Sequence, residues 1–162
     1  MRYVLAILGV VLFVGCSSKA PDVQVEKEKV LNFGMANSRK IEITEGSTQA
    51  KTFVTITYLQ PLKHELVNNN KEQFIVGIYY MNGVSEASKA KLHNFTINAI
   101  AKENIHVNPL ASDSPLLSLV SSFNPWTEYL LVEAPKVDQI DMTIGFESGQ
   151  SQKVSATFRK DY

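Results

Sequence analysis

The sequence predicts an all-β domain built as an antiparallel sandwich of two sheets. The clearest indication is the C-terminal part of the chain, where apolar and polar residues alternate along two arms that flank residues 148–150. About seven or eight short segments of this kind recur at roughly ten-residue spacing, with Gly, Pro and Asn between them, as in two-sheet sandwiches. One short helix is expected to cross between the sheets.

A separate leader precedes this domain. Arg2 is followed by residues 3–14, which carry no charge. A helix of that length covers about 18 Å, whereas the hydrocarbon core of a bilayer is about 30 Å thick. The stretch is therefore predicted to be a cleaved signal peptide and not a membrane-spanning helix. Small Gly15 then stands directly before Cys16, the one cysteine of the chain.

Residues 12–16 resemble the lipobox of bacterial lipoproteins, with Phe13 where that family usually has Leu. The resemblance implies that residues 1–15 are removed and that Cys16 carries lipid on its thiol and its new amino terminus. Ser17, where an inner-membrane retention Asp would stand, implies the outer membrane, with the domain facing the periplasm. A single thiol without a disulfide partner agrees with lipidation, and two or more lipid chains anchor firmly. The alternative is an ordinary secretory signal with an incidental cysteine.

The charge balance limits the classes of partner. The chain has 16 basic and 16 acidic residues, and removal of Arg2 with the leader leaves one more acidic than basic residue. Without a basic surplus we expect no nucleic-acid partner and no attraction to anionic head groups. Membrane attachment is expected only through the lipid on Cys16. Residues 16–29 are polar and predicted to form a flexible tether, and residues 30–162 the sandwich domain.

The strand predictions follow from alternation. Ile41 and Ile43 alternate with charged neighbours, and strong strands are predicted at residues 50–59 and 73–81. Pro61 ends the first of these because proline cannot donate to a ladder. The remaining upstream strands are predicted at residues 92–100, 104–107 and 126–133.

The connecting segments carry their own signals. Asn82 and Gly83 favour a tight turn, and residues 85–91 fit either a short helix or a loop. Ser114 and Pro115 form a typical helix start, with serine as the cap and proline at the first helical position. The short crossover helix is therefore placed after Ser114.

The terminal hairpin has one apolar and one polar face on both arms. The residues predicted to face the core are Ile140, Met142, Ile144, Phe146, Val154, Ala156 and Phe158. Strand order and spacing resemble immunoglobulin-like domains, and small Gram-negative lipoproteins that carry such a domain. A lipid-binding barrel and an α+β fold are the alternatives.

No catalytic, metal or cofactor site is predicted. Cys16 is the only thiol, and no serine stands in the Gly-x-Ser-x-Gly turn of the serine hydrolases. His64, His93 and His106 lack the close, patterned spacing of metal ligands and are predicted to be surface residues. An enzyme is therefore the least favoured class.

The strand at residues 73–81 is apolar on its second face as well, through Ile75, Tyr79 and Met81. Residues 110–123 could cover this face, which would make it core. Otherwise it is an exposed patch, and such patches mark partner surfaces. We predict that Ile75, Tyr79 and Met81 lie partly exposed and bind a partner.

Two functions are compatible with these features. The first is a lipid-anchored, non-enzymatic periplasmic module that binds or supports another, unidentified envelope protein. The second is a carrier of lipid or another apolar ligand in the domain interior. The carrier would need an internal cavity near four aromatic residues, namely Phe74, Tyr80, Phe95 and Trp126.

Overall fold

A computed structural model describes residues 21–45, 50–81, 84–149 and 152–160, with side chains from residue 27 onward except that of residue 45. Two antiparallel sheets pack face to face, which confirms the predicted β-sandwich. The larger sheet has the order β1-β2-β3-β6-β5 and the smaller one β4-β7-β8. The strands are Ser38–Glu45 (β1), Ala50–Tyr58 (β2), Lys71–Tyr80 (β3), Phe95–Ile97 (β4), His106–Pro109 (β5), Glu128–Pro135 (β6), Asp141–Glu147 (β7) and Lys153–Arg159 (β8).

Within the described ranges, two α-helices accompany the sheets, Pro21–Ala36 (α1) and Glu86–Leu92 (α2). The Ser85 hydroxyl caps α2 by accepting a hydrogen bond from the Ser88 N–H at 3.2 Å. The segment 85–91, predicted to be either a short helix or a loop, is therefore part of a helix. The remaining short elements are 3₁₀ helices at Gln60–Leu62, Lys102–Asn104 and Pro115–Leu119. The last of these stands where the crossover helix was predicted, although Ser114 makes no side-chain cap.

Helix α1 was not predicted. The expectation of flexible coil is wrong for residues 21–29, and the helix continues across the domain boundary placed at residue 30. Its Glu and Lys residues are good helix formers, and Pro21 occupies the first helical position. Val30 and Phe33, one turn apart, pack against the body of the domain. The helix therefore belongs to the folded domain.

The main core lies between the two sheets. The inward residues of β3 are Phe74, Val76 and Ile78, each at most 1 % exposed. The Phe158 ring of β8 packs against the rings of Tyr58 and Phe74, with centroids 5.8 and 6.0 Å away.

The terminal hairpin has the predicted register. Met142 pairs with Phe158 and Ile144 with Ala156, and all four side chains are buried. The prediction for Ile140 is wrong, because it precedes β7 and lies 60 % exposed.

Strands β4 and β5 belong to different sheets, although their segments are neighbours in the sequence. β4 pairs with β7, whereas β5 pairs with β6, so the two do not form a hairpin. Asn98 ends β4 with a φ of 42°, in the left-handed region that asparagine tolerates. Its side chain accepts the Thr143 N–H at 2.5 Å and donates to the Asp141 carbonyl at 3.0 Å. Beyond the end of β4, the Asn98 side chain thus makes hydrogen bonds to the backbone of β7 in place of strand-to-strand backbone bonds.

A second apolar layer covers part of the outer face of the larger sheet. Its buried residues are Leu59, Leu62, Val67, Ile75, Leu117, Leu119 and Tyr129. Helix α1 joins this layer at Gly34, where an added Cβ would lie 3.1 Å from the Ser121 nitrogen. A side chain at position 34 would push the helix away from residues 120–122. The covering layer therefore depends on glycine at this contact.

A buried carboxylate ties together one end of the sandwich. Glu72 is 0 % exposed and accepts hydrogen bonds from Tyr58 Oη at 2.6 Å, Lys160 Nζ at 2.6 Å and the Val137 N–H at 3.0 Å. Burial, together with the hydrogen bond to Glu72 and its charge, raises the pKa of Tyr58 far above its ordinary value of 10. The Tyr58 hydroxyl therefore keeps its proton and remains a donor to Glu72.

Core packing predicts a large cost for Phe158→Ala. Removing this fully buried ring should lower the free energy of unfolding by about 3–5 kcal/mol. Thr143→Ala, on the outward side of the same hairpin, is the matched control and should cost well under half of that. Urea titration measures both values, and equal costs would contradict the hairpin register.

The Tyr58–Glu72 contact predicts an alkaline loss of stability. The pKa of Tyr58 is higher in the folded than in the unfolded state, so its contribution is complete below about pH 10 and falls as the pH rises. The free energy of unfolding should lose about 1.4 kcal/mol per pH unit above pH 10 through this group.

In Tyr58→Phe, the free energy of unfolding should no longer show the part of the alkaline decrease that comes from Tyr58. At pH 7 it should cost about 1–3 kcal/mol, because a buried carboxylate loses one donor. Tyr79→Phe, a half-exposed control, should cost much less at pH 7. Urea titration at pH 8–11.5 measures the free energy of unfolding of the wild type and of Tyr58→Phe. If this free energy falls equally steeply with pH in both proteins, the result contradicts the contact.

Candidate functional site

A groove of about 240 Å³ lies on the outer face of the larger sheet, where the covering layer ends. Phe53 and Tyr79 border it on one side, and residues 120–122 border it on the other. Phe53 pairs with Tyr79 across β2 and β3, and Thr55 pairs with Gly77. Since residues two apart on a strand share a face, Gly77 lies in the floor beside Tyr79.

Gly77 lets the Tyr129 ring approach the backbone of β3. An added Cβ would lie 2.9 Å from Tyr129 Cε1 and 3.1 Å from Thr127 Cγ2. The Tyr129 hydroxyl accepts the Asn124 N–H at 2.9 Å, and the ring stacks on Phe123 with centroids 5.6 Å apart. Tyr129 therefore fixes the chain segment that forms one border of the groove.

The aromatic border is partly open to solvent. The rings of Phe53 and Tyr79 meet in a tilted pair with centroids 6.4 Å apart, and each residue is 37 % exposed. Met81, which directly follows β3, is 44 % exposed. The predicted partial exposure is thus confirmed for Tyr79 and Met81, and their role in binding stays a prediction.

The predicted exposure of Ile75 is wrong. Ile75 is 1 % exposed and belongs to the second apolar layer with Leu117 and Leu119. Segment 110–123 covers the first half of the outward face of β3 and stops before Tyr79. The first half of this outward face is therefore core, and the second half, at Tyr79, is partly exposed.

Phe53 and Tyr129 were not predicted to be site residues. Phe53 alternates with the inward residues of β2, so its outward position was readable from period two. Gly77 stands singly inside a strand, which indicates a bulge or a close approach to the backbone, and the Tyr129 ring makes that approach. The identity of that neighbour was not readable, because it depends on the pairing of β3 with β6.

The groove combines apolar walls with a polar rim. Thr55, Ser122 and Asn124 contribute polar groups, and Lys40 on the edge strand β1 contributes a cation. Lys40 makes no ion pair with any residue in the described ranges. The arrangement suits an apolar side chain that stands next to a carboxylate.

A second polar cluster joins α2 to β6. Tyr80 Oη donates to Glu128 Oε2 at 3.1 Å, and His93 Nε2 lies 3.4 Å from the same oxygen. Burial and the nearby carboxylates of Glu128 and Glu86 raise the pKa of Tyr80 well above its ordinary value. The phenol therefore stays protonated and acts as a donor that links the two elements.

The histidines lie on separate elements. His64 accepts the Leu66 N–H at 3.2 Å in the loop after Gln60–Leu62, and His106 is exposed at the start of β5. Within the described residues, no three His, Cys, Asp or Glu side chains are grouped as metal ligands. Cys16 lies outside the described residues.

The four aromatic residues of the carrier hypothesis do not line one cavity. Phe74 lies in the filled core between the sheets, and Phe95 packs edge-on against Phe146 with centroids 6.1 Å apart. Trp126 is 82 % exposed. The described interior at Phe74 is occupied by the Tyr58 and Phe158 rings.

Comparisons with models of known protein families, with curated proteins and with solved structures give no match. Among the described residues, the helices fall short of the length and apolarity needed to cross a bilayer.

Proposed function

We propose that the protein is a lipid-anchored, non-enzymatic binding module of the bacterial cell envelope, which holds or supports another envelope protein in the periplasm. The observation that carries the proposal is the Phe53–Tyr79 pair, left uncovered beside a groove on a sheet face that is covered only in part. The lipobox-like residues around Cys16 support the anchor and the outer membrane. A sandwich of the immunoglobulin-like kind suits a module whose work is binding.

The partner surface follows from the groove. Phe53 and Tyr79 offer large, rigid contact area, and aromatic residues dominate the binding energy of protein interfaces. Lys40 on the rim makes no ion pair with a described residue, and it therefore favours a carboxylate in the partner. We infer a partner segment with one large aliphatic or aromatic side chain, seated over Gly77 and flanked by Asp or Glu.

A photocrosslinking experiment tests this surface. A benzophenone analogue of phenylalanine at position 79 keeps an aromatic ring there and should capture one stoichiometric envelope protein in intact cells. The same analogue at Ile140, which is exposed outside the larger sheet, is the matched control and should capture none of it. Equal capture from both positions, or none from position 79, would refute the surface.

The captured protein, once purified, should bind the wild-type chain directly. Tyr79→Ser should weaken that binding about tenfold or more, which corresponds to the loss of an interface hot spot. Ile140→Ser should leave the affinity unchanged, and neither variant should move the melting temperature by more than a few degrees. A large loss of stability in Tyr79→Ser would show that the ring serves the core.

The anchor has its own test at Cys16. Cys16→Ala should leave the protein either unprocessed or released from the membrane, because the thiol is the proposed lipid acceptor. Mass spectrometry of the wild-type mature N-terminus should show an acylated cysteine. An unmodified N-terminus that begins at another residue would overturn both the anchor and the outer-membrane location.

A further inference from the structure

Three lysines surround a pocket of about 350 Å³ at the end of the sandwich that holds Glu72. Lys63 follows the 3₁₀ helix Gln60–Leu62, Lys136 follows β6, and Lys160 follows β8. Glu72 is the one acidic residue in the described lining, and it is fully buried beneath it. The lining thus carries two more positive than negative charges, although the whole chain has a net charge of zero.

Two of the three lysines are held by hydrogen bonds, and all three retain free donors. Each ammonium group has three donors. Lys160 gives two of them to Glu72 and the Val137 carbonyl, and Lys136 gives one to the Asn69 carbonyl at 3.1 Å. Lys63 and Lys136 make no ion pair with any residue that the structure describes.

Lys63 is the C-cap of the 3₁₀ helix Gln60–Leu62. Its φ is 51°, the left-handed conformation that is common at helix ends, and its N–H donates to the Gln60 carbonyl. The cap therefore accounts for the backbone at Lys63, whose side chain lines the pocket.

We propose that this pocket binds a phosphate monoester or inorganic phosphate. A phosphate dianion carries about two negative charges and three strong acceptor oxygens. It therefore matches both the surplus charge of the lining and the three lysines that share this pocket. Lysine binds phosphate as a point charge, which suits side chains that reach the ligand from three separate chain segments. The site is distinct from the groove at Tyr79 and does not rest on the proposed protein partner.

Isothermal titration of the full chain in nonionic detergent tests the site. The probes are inorganic phosphate and dihexanoylphosphatidic acid, with dihexanoylphosphatidylcholine as the control for apolar binding. Saturable heat with inorganic phosphate at least as strong as with phosphatidic acid assigns the site to free phosphate. Tighter binding of phosphatidic acid, with none of phosphatidylcholine, assigns it to a lipid head group, and both results support the proposal.

The variant Lys63→Ala/Lys136→Ala removes two exposed cations and leaves the Glu72–Lys160 contact intact, so the fold should persist with an unchanged melting temperature. Its affinity for the phosphate probe should fall about tenfold or more, as expected for two lost charged donors. Lys153→Ala removes an exposed lysine of β8 and should leave the affinity unchanged. The proposal is overturned by the absence of saturable binding in the wild type, or by an equal loss in Lys153→Ala.

Discussion

The burial of both faces of β3 is the constraint on which the rest of the structure depends. Its inward side chains pack against the smaller sheet, and Ile75 on its outward side is as deeply buried as they are. Each such residue contributes about 1.5–3 kcal/mol when removed from water. A sandwich of two sheets alone would leave the outward apolar side chains of β3 exposed to water, so the fold requires a third layer. Helix α1 and segment 110–123 supply it over half of the strand.

The uncovered half of β3 is a direct consequence of that incomplete layer. Helix α1 contacts segment 120–122 at Gly34, and the Tyr129 hydroxyl donates to the Ser122 carbonyl at 3.4 Å, which holds the same segment beside β6. Beyond this border Phe53 of β2 and Tyr79 of β3 contact each other and stay partly open to solvent. The groove is therefore formed by the position at which the covering layer stops, and the aromatic pair marks that position.

Period-two alternation predicted most of the strands and, apart from Ile140, the faces of the terminal hairpin. The strand predicted at residues 92–100 is confined to Phe95–Ile97. It also revealed the apolar second face of β3, because two-sided burial appears as a run without polar positions. It could not show how far the cover extends, since the covering residues come from segments on both sides of β3 in the sequence. Helix α1 was missed because only a few of its residues touch the body, which leaves a polar segment without a clear apolar stripe.

The candidate site was predictable in part. Ile75, Tyr79 and Met81 all stood out as apolar residues on a face that should have been polar. The exposure of Tyr79 and Met81 agrees with the prediction. Ile75 is buried instead, because its neighbours in space are Leu117 and Leu119, more than forty positions later in the chain. The lysine pocket escaped the sequence analysis for the same reason, since Lys63, Lys136 and Lys160 lie far apart in sequence. Charges from distant segments converge only after the sheets have formed.

The pairing of β3 with β6 has a kinetic consequence. Ile78 pairs with Glu128 and Lys71 with Pro135, so the most apolar strand must wait for a partner synthesised much later. Until then the β1-β2-β3 meander presents an open, apolar edge, and such edges template the association of chains. Non-local pairing also slows folding, because loop-closure entropy is lost before the contacts form. A chain of this design benefits from being kept unfolded until β6 is available, so that the edge closes within one molecule.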